Sequence, residues 1–447
     1  MDIQKILNKL PVKMTTTKKV KVEDLFATTS GSSAINKTHI DSDLNIVSYG
    51  DKKEDGTVIA VVNDIFLNSF KLKASDIHIE PREKKVNIRF RVDGNFIDYK
   101  DISLSIRDSI IARIKIMAYL RIDEHRLPQD GKIAYKLFGG KSIDMRVSII
   151  PTIYGEKCVI RLLKKDDTPP KLKDLGIMPY NMVKIKKHLR DNYGMILAVG
   201  PTGSGKSTTL FSLLSQFDSS EKNISTLEDP VEYRITGVNH TQINPSINFT
   251  FAKGLRSLLR QDPDIIMVGE IRDEETAKLA VEASITGHIV FSTIHTNSAS
   301  HTIQRLVNLG VDPLLISSSL RMIISQRLAR KLCIHCKISY NASDKIKKYI
   351  VGKVGKYIKN KQDLQLFKSN DEGCSKCNHT GYSGRIGLYE ILEMTDKVEE
   401  LMLKNASRLQ LEIQAVGDGM VPVKEDGLLK VVLGETSLEE ILSVLGT

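Results

Sequence analysis

The stretch MILAVGPTGSGKSTTLFSLLSQF, residues 195–217, decides the fold. An apolar run ends at Gly200, a glycine-rich turn follows, and LFSLLSQF resumes with helical spacing. The turn has the spacing G-x-x-x-x-G-K-S from Gly200 to Ser207, which lets backbone curl around an anion with its N–H groups pointing inward. Gly200, Pro201, Thr202, Gly203, Ser204, Gly205, Lys206, Ser207 and Thr208 are therefore candidate nucleotide-binding residues. The next helix adds positive charge at its N-terminus, Lys206 can reach the outer phosphates, and the Ser207 hydroxyl can coordinate Mg²⁺. The expected ligand is ATP or GTP, with ATP the working choice. An ordinary glycine-rich turn is the bland alternative, and a full motif between strand and helix patterns weighs against it.

Downstream, the apolar runs ISTLED, DIIMVGE and HIVFSTIHT alternate with the helical patterns KGLRSLLRQ and DEETAKLAVEAS. That alternation predicts an α/β unit over residues 181–330, with a largely parallel sheet covered on both faces. Such sheets place ligands at the carboxyl ends of their strands, where the loop, Glu228, Asp229, Glu270 and His295 all fall. After DIIMV comes Gly269-Glu270, so glycine stands where a metal-holding Asp is usual, and Glu270 carries the only carboxylate at that strand end. Glu270 either holds Mg²⁺ or activates the attacking water, and the other task falls to Glu228. The structural alternative for Glu270 is an acid at a helix N-terminus. His288 and His295, in GHIVFSTIHTN, are candidates to sense the outer phosphate, and His295 has the stronger context. Arg146, Arg161, Arg256, Arg260 and Arg272 can stabilise transition-state charge, against a surface role for each.

Upstream, VIAVVNDIFLNSFKL and SIRDSIIARIKIMAYL read as helices, and DIHIEP, VNIRFRVDG, KIAYKLF and DMRVSII as strands. They predict a small α/β unit over residues 56–165, joined by a linker at 166–180. Residues 1–55 read as a polar segment in which Ile3, Ile6, Leu7 and Leu10 form an apolar helical face, able to fold back or to dock on a partner or membrane surface. Four of the five cysteines form two C-x-x-C pairs, Cys333 with Cys336 and Cys374 with Cys377. Four thiolates suit tetrahedral Zn²⁺, and they leave no position open for water, so the ion is structural. This element spans 331–394, and 395–447 reads as a helical region with a turn near VGDGM. Cys158, inside KCVIRLL, reads as a small core residue.

A chain of 447 residues exceeds one typical domain. The net charge of +11 favours phosphates, acidic proteins or anionic lipid headgroups without choosing among them. No run of about 18 apolar residues and no signal pattern stands out, so the expectation is a cytosolic protein whose membrane contact is peripheral. The chain has no tryptophan and no aromatic-plus-basic strand motif, which counts against nucleic acid as a partner.

Taken together, SDIHIEP, RFRVDG, RLPQDGKI, the phosphate loop, TLEDPVEY, LLRQDPDIIMVGEIRD, TGHIVFSTIHTN and the paired C-x-x-C resemble the ATPases of type II secretion and type IV pilus assembly. The resemblance covers residues 56–447. It implies a RecA-like P-loop unit preceded by a small α/β, PAS-like unit, with a zinc-binding insertion and a helical C-terminal region. It further implies a homo-hexameric motor at the cytoplasmic face of the inner membrane, driving a platform protein and assembly proteins of the pilus or secretion machine. By motif, Glu270 is the Walker-B-type glutamate, Glu228, Asp229 and Glu232 form an acidic box, and His288 and His295 form a histidine box. Arg146 and Arg161 match positions that reach the nucleotide from the first unit, and Arg256, Arg260, Arg272 and Arg305 match other functional or interface arginines. The cysteines match a zinc element absent from retraction ATPases, which favours assembly or secretion over retraction. Two features depart from the pattern. The segment before residue 56 is short for a docking domain, and DKIKKYIVGKVGKYIKNK between the cysteine pairs is basic enough for a solvated hairpin or contact with anionic lipid. A nucleic-acid translocase and a non-catalytic scaffold are the competing readings.

Overall fold

The computed structural model describes residues 53–136, 142–163, 168–358 and 364–446. The helical face expected at Ile3–Leu10 lies outside the described residues. The amino-terminal unit begins with a helix, Lys53–Lys71, followed by β1 (Asp76–Pro81), β2 (Val86–Val92) and β3 (Asn95–Ile102). A second helix, Arg107–Met117, leads into β4 (Gln129–Lys136), β5 (Ser142–Thr152) and β6 (Gly155–Leu163). Among the described residues these strands form one antiparallel sheet in the order β3-β2-β1-β6-β5-β4. The alternation in VNIRFRV sends Val86, Ile88 and Phe90 inward and leaves Asn87, Arg89 and Arg91 on the other face. Both helices lie on the inward face, where Val62, Ile65, Phe66, Ile110 and Ile114 join the strand side chains in one core.

The opposite face is charged. Strand register sets Asp76 beside Arg161, Arg161 beside Arg146, and Arg146 beside Lys132. Like charges placed directly opposite one another on a sheet are unfavourable. Asp76 and Arg161 pair at 2.9 Å, and the stretch from Arg161 through Arg146 to Lys132 sets cation opposite cation.

The second unit has β7 (Gly194–Val199), β8 (Ile224–Glu228), β9 (Val238–Gln242), β10 (Ile265–Val268), β11 (Ile289–Ile294), β12 (Leu320–Leu332) and β15 (Tyr382–Glu393) in one sheet of order β15-β12-β7-β11-β10-β8-β9. Every pairing is parallel except that of β15 with β12. β7, β8, β10 and β11 are buried along their whole length, which is why they read as unbroken apolar runs. One face carries Phe251, Leu255, Ala277, Val281, Ile303, Leu306 and Ile316 from four helices. The other carries Ile185, Leu210, Phe211, Leu213 and Leu214 from two more. The sheet covered on both faces is as expected. The strands β12 and β15 were not read from the sequence, and they matter for both sites.

β12 ends one residue before Cys333, and β15 begins shortly after Cys377. The antiparallel register that pairs Leu332 with Tyr382 brings the two cysteine pairs together. Between the pairs lie a hairpin of β13 (Ile338–Asn341) with β14 (Gln365–Lys368) and the helix Asp344–Val354. Four C-terminal helices run from Asp396 to Leu445, with Gly419 in the left-handed region at the expected turn. A buried carboxylate holds them to the sheet. Asp426 accepts from the Tyr180 hydroxyl at 2.7 Å and the Tyr389 N–H at 2.9 Å, and pairs with Lys430 at 2.5 Å. Such a pair is tolerated in the interior because further donors satisfy the carboxylate.

Candidate functional site

The phosphate loop joins the end of β7 to the helix Lys206–Leu214. Gly203 and Gly205 hold φ of 78° and 87°, in the left-handed region. A Cβ at Gly200 would lie 2.5 Å from the Gln326 carbonyl oxygen, so the close approach of β12 requires glycine there, as the left-handed turn does at Gly203 and Gly205. Lys206 folds back on the loop, its Nζ donating to the carbonyls of Gly200 at 2.9 Å and Pro201 at 3.1 Å. Burial holds this ammonium below its ordinary value, with Glu270 opposing the shift. The Ser204 hydroxyl is buried with no hydrogen-bond partner among the described residues. One loop group is thus unsatisfied, and another bonds only to backbone it can leave.

A cleft of about 390 Å³ lies over the loop, lined by Thr202–Thr208, Glu228, Asp229, Glu232, Glu270, His295 and Arg385, among others. The carboxyl ends of β8, β10 and β11 deliver the acids and the histidine to it, as parallel topology requires. Glu270 pairs with Arg272 at 2.6 Å and with the His295 Nε2 at 3.2 Å. Glu228 is buried, and its Oε1 accepts from the Thr226 hydroxyl at 2.5 Å. Burial pushes the Glu232 carboxyl up. A hydrogen bond from Ser207 and the charges of Arg146 and Arg161 act against that rise, and Glu228 adds to it. That influence brings the charged row of the amino-terminal sheet into electrostatic reach of the cleft. The row borders its own hollow of about 540 Å³, lined by Asp76, Lys132, Arg146 and Arg161.

Not every candidate converges. His288 precedes β11, at the end of the strand opposite to His295, and its Nδ1–H donates to the Ala283 carbonyl at 2.8 Å. Arg256 pairs with Glu275 at 2.6 Å on the surface, and Arg260 donates to the Arg256 carbonyl at 2.8 Å. Arg305 is exposed on the helix Ala299–Asn308. Gly200 and Pro201 lie beneath the cleft as acceptors for Lys206.

Four residues that the sequence reading passed over stand at or beside the site. Arg385 lines the cleft from β15. Gln326, on β12, accepts from the Thr209 hydroxyl at 2.8 Å. Burial lowers the Arg327 guanidinium, whose Nη2 donates to the Asn297 carbonyl at 2.8 Å. His240, on β9, contacts Glu228 at 2.8 Å. His240 sits on the edge strand of the sheet, and its tie to Glu228 is readable only once β9 is known to pair with β8.

The four cysteine Sγ atoms lie within 4.8 Å of one another. The separations Cys333–Cys374 and Cys336–Cys377 are both 3.8 Å, and Cys374–Cys377 is 3.7 Å. A tetrahedron of Zn–S bonds of about 2.3 Å has edges of about 3.8 Å, so this donor set fits zinc. A disulfide, at about 2.05 Å between sulfurs, does not describe these distances.

A family described as type II/IV secretion system protein matches residues 51–443. The type II secretion system ATPase E of Vibrio cholerae is 44% identical over 394 residues, 88% of this chain and 76% of the relative. The type IV pilus assembly ATPase PilB of Myxococcus xanthus is 43% identical over 402 residues, 89% of this chain and 69% of the relative. The crystal structure of the Legionella pneumophila ATPase DotB superposes with a TM-score of 0.63 at 21% identity, covering 87% of this chain and 96% of that one, which is a likeness of fold. Among the described residues no helix is long and apolar enough to cross a membrane.

Proposed function

The chain belongs to the type II/IV secretion system protein family, and on that premise we propose that it is an ATP-hydrolysing motor of type IV pilus assembly or type II secretion. It acts as a homo-hexamer on an inner-membrane platform protein, from the cytoplasmic face. The observation that carries this reading is the convergence of Lys206, Glu228, Glu270 and His295 on one cleft, with the cations Arg146 and Arg161 within reach.

The loop N–H groups and the helix N-terminus receive the phosphates of ATP. Lys206 exchanges two loop carbonyls for phosphate oxygens, which offsets the burial that depresses its charge. Ser207 and Glu270 would hold Mg²⁺, which neutralises phosphate charge when bound. Arg272 and His295 fix the Glu270 carboxylate on both oxygens. Glu228, enclosed and hydrogen-bonded, orients the attacking water and takes its proton. Arg146, and Arg161 beyond its pair with Asp76 at 2.9 Å, meet a further anion when the amino-terminal unit reaches the phosphates. Arg256, Arg260 and Arg305, outside the cleft of a single chain, face neighbouring subunits, and Asp229 shapes the acidic turn. The cysteine cluster holds zinc for structure. The exposed Lys345, Lys348 and Lys353 of the inserted helix meet anionic lipid headgroups.

The test is steady-state ATP hydrolysis per chain against protein concentration, with the mass of the assembly measured in the same samples. A rate that rises as hexamers form supports the motor. A rate flat from monomer to oligomer overturns the ring mechanism, and stimulation by single-stranded DNA would point to a translocase instead.

A further inference from the structure

His240 has no place in the mechanism above, yet it lies 2.8 Å from one of its acids, Glu228. It lies on β9, the edge strand paired in parallel with β8, and the register sets it beside Thr226, two residues before Glu228. The Ile235 N–H donates to His240 Nε2 at 3.1 Å, so this nitrogen is the acceptor and the ring proton sits on Nδ1. That Nδ1–H points at Glu228 Oε1, 2.8 Å away, and at the Thr226 hydroxyl oxygen, 3.0 Å away. The Thr226 hydroxyl donates a hydrogen bond to the same carboxylate oxygen at 2.5 Å. Oε1 thus takes two donors, whereas Oε2 accepts, among the described residues, only the Glu232 N–H at a longer 3.3 Å. The imidazole is itself held: its side chain is 13% exposed, and its ring lies 6.2 Å from that of Phe211, which lines the cleft.

We infer that His240 is a positioning residue for ATP hydrolysis: it locks Glu228 by one oxygen so that the other addresses the attacking water. The inference rests on reading Glu228 as the carboxylate that activates water. His240 does not itself line the cleft, and it acts through Glu228. The role needs one side chain that accepts from a backbone N–H and donates to a carboxylate at once. An imidazole does this, a carboxamide can, and an alkyl group cannot.

The experiment compares full-length wild type with His240→Leu, His240→Gln and Glu228→Gln, measuring kcat, KM and the affinity of a fluorescent ATP analogue, with melting temperatures alongside. Outer partners of this kind are worth roughly 10- to 100-fold in activity. His240→Leu is expected to lower kcat by that factor while KM and analogue affinity stay within about 2-fold, and His240→Gln to recover most of the rate. If His240→Leu does not assemble, His240→Met, which keeps length without a donor, takes its place. The inference is overturned if Glu228→Gln is inactive and the His240 variants turn over normally. Equal losses of rate and affinity in His240→Leu and His240→Gln would also overturn it, since they mark a purely structural side chain. A Glu228→Gln enzyme that still hydrolyses ATP removes the premise itself, and the inference falls with it.

Discussion

The nucleotide cleft and the cysteine cluster are both made where strand ends meet, but they finish differently. The cluster is closed: four donors stand at the corners that a tetrahedral ion needs, and nothing more is asked of them. The cleft is left open, with a lysine bonded to its own loop, a buried hydroxyl that has no partner among the described residues, and a row of opposed cations nearby. A region whose polar groups satisfy one another holds a fold together. A region whose groups await a partner binds and reacts.

The sharpest way to break that contrast is to open the closed region. Cys333→Ser, or extraction of the metal with a chelator, should unfold the segment between β12 and β15 and lower the melting temperature, because the binding energy of a structural zinc, on the order of 10 kcal/mol, is folding energy. Metal content and a thermal melt on the same sample check this, and a zinc-free variant with an unchanged melt would contradict it. The converse is Glu270→Gln, which should cut phosphate release by roughly 10²- to 10³-fold and weaken the Mg²⁺-dependent part of nucleotide binding while the melt is kept, since shape survives and charge does not. An unchanged rate and an unchanged Mg²⁺ dependence would remove Glu270 from the metal site. Next in size, Arg146→Ala should lower kcat/KM by about 10-fold yet leave the melt unchanged or raised, because a like-charge opposition worth roughly 0.2–1 kcal/mol is relieved.

The smallest effect calibrates the contrast on a closed polar cluster away from both sites. A hydrogen bond from His188, opposed by burial and helped by Lys184 and Lys187, holds Glu393 at about 2. Its folded value lies below the ordinary 4.5, so the stability it contributes is complete above that value and is lost as pH falls toward about 2. Glu393→Gln should melt a few degrees below wild type near neutrality. The difference should close on acidification through that window, which melts taken across pH would show.

Legibility followed sequence distance. Gly200–Ser207 and the C-x-x-C pairs were readable because the groups that act together are neighbours in the chain, and Glu228, Glu270 and His295 because parallel topology puts strand ends on one side. His240, Gln326 and Arg385 were not, since each depends on which strand lies beside which. β12 mixes apolar residues with three arginines and a lysine, and neither strand period nor helix period stands out in LRMIISQRLARKL. His288 misled for a related reason: a motif counts residues, whereas a strand separates its two ends by about 3.3 Å per residue.

β15 brings three of these connections onto one rod. Its Gly384 N–H donates to Asp93 of the amino-terminal unit at 2.9 Å, its Arg385 lines the cleft, and its Tyr389 hydroxyl donates to the Leu175 carbonyl in the linker at 3.2 Å. A paired strand does not stretch, so the spacing from unit boundary to cleft to linker is fixed as on a ruler. Any swing of the amino-terminal unit toward the phosphates must break the Asp93 bond or carry the end of β15 along, and Arg385 moves with it.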